Sequence, residues 1–255
     1  MDVILTAGGT PDEKDPLYAY TKGKSKAHLN IAGKVMVQWA LDALASAKSV
    51  ENIVVIGLPE DTQINFPRPI IRLQDQGDMV SNILTGAHTL KNSGSASDYV
   101  IVMASDVPAV TGEMIDWLSE QVVSLQADIV YTVVTRSDME NQFPGANRSF
   151  LRLKDYEICG GDVNAFKLDR INEENPIWRQ LINSRKNVLK QAAILGFDTL
   201  FLILLRLLTL SQAERRISRR LGLKGKVLPT QFAEIAMDVD KPHQLDLLIK
   251  KLTAN

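Results

Sequence analysis

Hydrophobic positions along this chain arrive in two rhythms. Short unbroken apolar runs at 3–5, 53–56, 70–73, 99–103 and 129–134 read as strands buried on both faces, because a strand with one wet face would alternate. Between them, 35–47, 79–90 and 111–125 repeat apolar side chains at helical spacing, the last with Thr111 as its expected N-cap and Glu113 in its first turn. Strand and helix alternate as in βαβ units, which predicts a Rossmann-like α/β/α sandwich in three layers over a mostly parallel, mixed sheet. After about residue 137 the rhythm weakens. A polar loop over 138–148 leads to strands at 150–153 and 158–166, a mainly helical stretch over 171–221, a short strand near 233–237 and a last helix over 242–252. The expectation is one domain spanning 1–255, with a mainly helical insertion at about 170–230.

Composition narrows the functional classes. Lys and Arg (29) nearly balance Asp and Glu (30), so no global positive field is available for a nucleic-acid backbone, and nucleic acid is not an expected partner. One cysteine, Cys159, excludes an internal disulfide, and three histidines leave little for a His/Cys zinc site. The opening MDVILTAGG has neither the basic start nor the long apolar core of a secretion signal, and the expected compartment is the cytoplasm. The most apolar run, 200–210, contains Arg206 and is about half the ~20 residues that a membrane-spanning helix needs.

Candidate chemistry sits where the strands end. The first strand runs into Ala7-Gly8-Gly9-Thr10, a turn that lets backbone N–H groups approach a phosphate, although a purely structural turn would look the same. Lys22, Lys24, Lys26 and Lys34 follow in a loop, either solvated or set to compensate a triphosphate. Gln74 to Asn82 follows a strand and opens a helix, so Gln76, Gly77 and Asn82 either face a nucleotide or serve as turn and cap. The strand at 99–103 delivers Asp106 to the sheet's ligand-binding edge, and Asp238 and Asp240 flank Val239 in a second acidic segment, on one side of an extended backbone.

These segments carry a resemblance. ILTAGG, followed after a loop by KSKAHLNIAGKVMVQWALDAL, resembles the opening of the MobA-like and sugar-phosphate nucleotidyltransferases, whose pattern runs roughly LxAGGx(n)KxLxxxxGKPM. Val35 stands where that pattern has proline, the loop between Thr10 and Lys22 is long, and the arginine common after the glycines is missing. The resemblance implies a nucleotide-diphospho-sugar transferase (GT-A-like) fold. It implies that Ala7, Gly8 and Gly9 hold the nucleotide, that Lys26 contacts phosphate, and that Gln76, Gly77 and Asn82 help to recognise the nucleotide. Ser105-Asp106-Val107-Pro108 looks like the family's D-x-P element and Asp238-Val239-Asp240-Lys241-Pro242 like its late acidic element. On that basis Asp106 and Asp240 bind Mg²⁺ or Mn²⁺, hard cations suited to carboxylates and phosphate oxygens. Gly161, Asp162 and Asn164 would meet the acceptor, a strand bulge being the structural alternative.

The implied reaction moves a nucleoside monophosphate from an NTP to a phosphorylated small-molecule or lipid acceptor and releases pyrophosphate, with Lys26, Asp106 and Asp240 as the catalytic set. The rival readings are a glycosyltransferase fed by a nucleotide sugar and a noncatalytic nucleotide-binding regulator. The stripe Phe197, Leu200, Phe201, Leu204, Leu205 and Leu208, followed by Arg215, Arg216, Arg219 and Arg220, reads as core packing or a homodimer interface, or else as a surface for a lipid phosphate or a membrane.

Overall fold

The computed structural model describes residues 1–172, 177, 178, 180, 194 and 196–254. Its main sheet has nine strands in the order β5-β4-β1-β6-β10-β7-β9-β8, with β11 on β7. The strands are β1 (Asp2–Thr6), β4 (Ile53–Ile56), β5 (Ile71–Leu73), β6 (Tyr99–Ala104), β7 (Ile129–Thr135), β8 (Leu151–Arg152), β9 (Glu157–Gly160), β10 (Val163–Lys167) and β11 (Gly225–Thr230). A separate hairpin pairs β2 (Asn30–Ile31) with β3 (Lys34–Val35). The pairings leave only β9 and β10 running against the other strands of the main sheet, so it is mixed and mostly parallel, as the alternating pattern implies.

Side chains of the central strands divide between two faces with period two. Val3, Leu5, Val55, Ile101 and Met103 join one core with helices α2 (Met36–Ser46) and α4 (Gly112–Leu125). Ile4, Val54, Ile56, Val100 and Val102 join the opposite core with α3 (Met79–Asn92). Burial on both faces is the physical origin of the unbroken apolar runs. The short helix α1 (Tyr18–Thr21) precedes the hairpin, and α8 (Pro242–Thr253) buries Leu245 and Leu248 beside Met36, Phe143 and Val239.

Four local expectations are corrected. Residues 136–142 form helix α5, opened by the Thr135 hydroxyl accepting from the Asp138 N–H, where a loop was expected; the cap outweighs the segment's polarity. Thr111 does precede α4, but its side chain makes no cap hydrogen bond. Ala233–Ala236 is a 3-10 turn, and the strand in this region is β11, parallel to β7. The run 158–166 is broken into β9 and β10. Gly160 lies opposite Val133 and Ala165 opposite Val130, so five steps on one side meet three on β7, and the two extra residues bulge at Gly161-Asp162. Within the expected helical insertion, α6 (Phe197–Leu204) and α7 (Leu210–Leu221) are helices; much of 173–195 lies outside the described residues.

Candidate active site

β1 ends at Ala7-Gly8-Gly9, held in place by the Ala7 N–H donating to the Ile56 carbonyl at 2.8 Å and the Lys26 N–H donating to the Gly9 carbonyl at 3.2 Å. Gly57, at the end of β4, has φ +84°, and a Cβ there would stand 2.8 Å from both N and Cα of Gly8. The neighbouring strand can pass this close only as glycine. Above the turn, a cavity of about 360 Å³ is lined by Gly9, Thr10, Pro11, Asp12, Lys14, Asp15 and Lys26.

The charged centre is assembled from three distant segments. The Lys26 ammonium donates to Asp240 Oδ1 at 2.6 Å and to the Val239 carbonyl at 3.0 Å, and lies 3.6 Å from Asp106 Oδ2. Backbone bonds fix the frame: Ser105 N–H to the Thr6 carbonyl, Val239 N–H to the Asp106 carbonyl, and Ala104 N–H to the Asp162 carbonyl. The Gln244 side chain, buried at the start of α8, accepts from the Asp240 N–H at 3.1 Å. Val239 is buried in the core while the carboxylates on either side of it reach ionic partners in the site, the arrangement that alternation implies.

Burial and neighbouring charges shift the ionisation of this cluster. Burial pushes the Asp106 carboxyl above its ordinary range; the Lys26 cation opposes this, and Asp240 adds to it. Burial of Lys26 favours its neutral form, yet Asp106 and Asp240 outweigh burial and hold its pKa above the usual lysine value. Asp162 is pushed up to about 7, first by desolvation and then by Asp106.

Arg148 is the functional candidate that the sequence did not single out. It arrives from the irregular segment after α5, pairs through Nη1 with Asp238, and brings Nη2 to 3.9 Å from Asp162 Oδ2. Arg148 Nε and Asp162 Oδ2 are buried without a hydrogen-bond partner, an expense that folded chains seldom carry outside functional sites. Arg148 gives no local signal in sequence, being one arginine in a polar stretch. Its partners are 14 and 90 residues away, a relation that exists only after folding.

The other expected residues divide between ligand-facing and supporting positions. Asp75 stands over Gly8 and accepts from the Gly77 N–H and the Asn82 amide, while Asn82 Oδ1 accepts from the Gln76 N–H at 2.8 Å. The buried Asn82 side chain thus holds the 74–78 loop against the glycine turn. The Gln76 amide donates to the Gln74 carbonyl, and Asp78 caps α3 through Ser81. Asn164 bonds the Thr132 N–H and the Gly161 carbonyl and so braces the bulge. A Cβ on Gly161 would meet Thr132 Oγ1 at 2.2 Å, so Gly161 serves the bulge too, and Asp162 is the member of this group that joins the charged centre. Of the four loop lysines, Lys26 reaches that centre, Lys34 pairs with Asp42 and lies over the Trp39 ring, and Lys22 and Lys24 are exposed; Lys14, outside that group, lines the cavity.

A doubly covered sheet whose strand ends gather a glycine turn, a lysine and several aspartates defines the class, an α/β nucleotide-binding transferase fold. Solved structures agree. A hypothetical transferase from Thermus thermophilus matches at 27% identity and TM-score 0.80, covering 96% of this chain and 98% of that one. A CMP:2-keto-3-deoxy-manno-octonic acid synthetase complexed with CTP matches at 12% identity and TM-score 0.54, covering 99% and 98%. The 2-C-methyl-D-erythritol 4-phosphate cytidylyltransferase from Thermus thermophilus matches at 13% and 0.51, covering 100% and 98%. No curated protein gives a significant match. The chain belongs to the MobA-like NTP transferase domain family, whose sequence model matches residues 18–217, and it is accordingly a nucleotidyltransferase. That match leaves out both the Gly8-Gly9 turn and Asp240, which the fold brings to Lys26.

Proposed function

We propose that this chain transfers a nucleoside monophosphate from an NTP to a phosphorylated acceptor. An acceptor phosphate oxygen attacks the α-phosphorus in line, the bond from that phosphorus to the bridging oxygen breaks, and pyrophosphate leaves with the electron pair. The attacking phosphate is already ionised, so the step needs alignment and charge stabilisation more than a general base. Gly8 and Gly9 offer backbone N–H groups to phosphate oxygens, and Lys26 supplies a cation that stays protonated at neutral pH. Asp162 and Arg148, on the β9–β10 side, are the groups assigned to the acceptor.

Mg²⁺ or Mn²⁺ fits the donor set. Asp106, Asp162, Asp238 and Asp240 face two cations, Lys26 and Arg148, and the partly buried Asp106 carboxyl has its pKa raised despite its lysine neighbour. No group of three or more His, Cys, Asp or Glu is arranged to hold a metal among the described residues, so two carboxylates, Asp106 and Asp240, would share the ion with phosphate oxygens. When bound, it would neutralise charge on the reacting phosphoryl oxygens and on the leaving pyrophosphate.

The observation that carries this reading is the meeting of Lys26, Asp106 and Asp240 beside the glycine turn and its cavity. The test is a thermal-shift screen of ATP, GTP, CTP and UTP with and without Mg²⁺, followed by pyrophosphate release with phosphorylated acceptors. A ligand at ~100 times its Kd stabilises by about 2.7 kcal/mol. One NTP giving a Mg²⁺-dependent shift supports the proposal; a response to nucleotide sugars alone overturns it.

A further inference from the structure

Far in sequence from the glycine turn, α6 and α7 form a surface that contains none of the candidate site residues. α6 packs Ile203 against Val133 and Ile158 of the sheet, yet its opposite side is equally apolar: Phe197, Phe201 and Leu204 are 58%, 60% and 77% exposed. The helix closes when Leu207 N–H reaches the Leu202 carbonyl and Arg206 takes a left-handed φ of 57°, which leaves Leu205 and Leu207 half exposed as well. Apart from Asp198 and Thr199 in its first turn, α6 is apolar on both its buried and its exposed side, and an exposed apolar helix face of this kind calls for a partner or a lipid surface. No helix among the described residues is long and apolar enough to cross a membrane, so lipid contact here has to be peripheral.

Charge selects the occupant. Arg216 and Arg220 border this surface through Asp198 on α6, at 3.3 and 4.0 Å, while Arg215 and Arg219 lie exposed on α7. Glu214, the one acid of α7, is turned inward onto Lys226 and the Val227 N–H. Residues 197–224 contain six Arg and Lys against two Asp and Glu, in a chain whose total charge is −1. A twofold-related copy would set this cationic surface against itself. Residues 173–195 hold four Arg and Lys against two Glu, so they bring no compensating charge either.

We propose that the α6–α7 surface docks on an anionic lipid bilayer, with Phe197, Phe201 and Leu204 entering the headgroup region and the α7 arginines meeting lipid phosphates. Docking is independent of nucleotidyl transfer and is tested without an acceptor. The full chain is co-sedimented with vesicles of phosphatidylcholine mixed with phosphatidylglycerol, and with vesicles of phosphatidylcholine alone. The wild type should partition onto the anionic vesicles only, and less at high salt. Replacing two arginines, Arg215→Gln with Arg219→Gln, should lower partitioning by roughly thirtyfold, since each basic residue near such a surface contributes about 1 kcal/mol. Phe201→Ser with Leu204→Ser should abolish it. These positions are exposed, so both variants should keep the wild-type melting temperature and its response to NTP. Wild-type protein that stays in the supernatant overturns the proposal, as does binding that both variants retain. Self-association that Phe201→Ser with Leu204→Ser removes, without vesicle binding, assigns the surface to a second copy and overturns it as well.

Discussion

Lys26 and Asp106 both have pKa values above their ordinary ones, Lys26 because Asp106 and Asp240 outweigh its burial, and Asp106 chiefly through burial and then because Asp240 adds negative charge to a site with more carboxylates than cations. A phosphate-bound cation would relieve that imbalance. Asp106→Ala and Asp240→Ala are therefore expected to abolish NTP-dependent pyrophosphate release while far-UV circular dichroism and cooperative melting persist. Lys26→Ala should weaken NTP binding by roughly 10- to 100-fold, the usual loss for a charge-assisted hydrogen bond, as read by calorimetric titration. Asp162 gives a pH prediction. Its carboxyl moves from 3.8 to about 7 on folding, so the folded protein holds this proton more tightly than the unfolded chain does. The associated stabilisation is complete below the unfolded value and is lost as the pH rises through about 7. Asp162→Asn, neutral at every pH, should accordingly melt higher than the wild type above pH 7, by an amount corresponding to about 1–3 kcal/mol, and lose this advantage in acid.

Elements place these residues, and each does so with an identifiable device. The two-residue bulge between β9 and β10 turns Asp162 toward the ends of β6 and β1, and Asn164 locks it there. Gly57 allows β4 to press on the glycine turn. Gly57→Ala would force a side chain into the Gly8 backbone at a positive φ, and is expected to cost about 2 kcal/mol or more and to blunt the NTP-induced thermal shift along with stability. The strands β1, β4 and β6 were legible because they are buried on both faces, and the helices α2, α3 and α4 because each carries one buried apolar stripe. α5 and β11 were not, since a polar side chain that caps and a β-strand with a half-exposed pattern differ from loops only through their partners; the bulge was legible only as the alternative to an acceptor-contacting strand.

At the scale of the molecule, the acidic element at 238–240 depends on α8, which follows it directly. Gln244 holds the Asp240 N–H, and Leu245 and Leu248 bury the helix in the cluster around Met36, Phe143 and Val239. Leu248→Ala should destabilise the fold by about 2–5 kcal/mol, measured by denaturant titration, and should raise the concentration of NTP required for a given response through looser placement of Asp240. Chain pattern and composition alone determined the α/β class, the strand ends where chemistry could sit, and the first carboxylate, Asp106, because local periodicity and a glycine turn are properties of neighbouring residues. The resemblance picked Lys26 out of four nearby lysines, but folding alone decided that it bridges Asp106 and Asp240, that Asn82 and Asn164 brace loops, and that Arg148 enters beside Asp162. Those choices depend on contacts between residues up to 214 positions apart, and no local preference of the chain encodes which partner a buried charge will find.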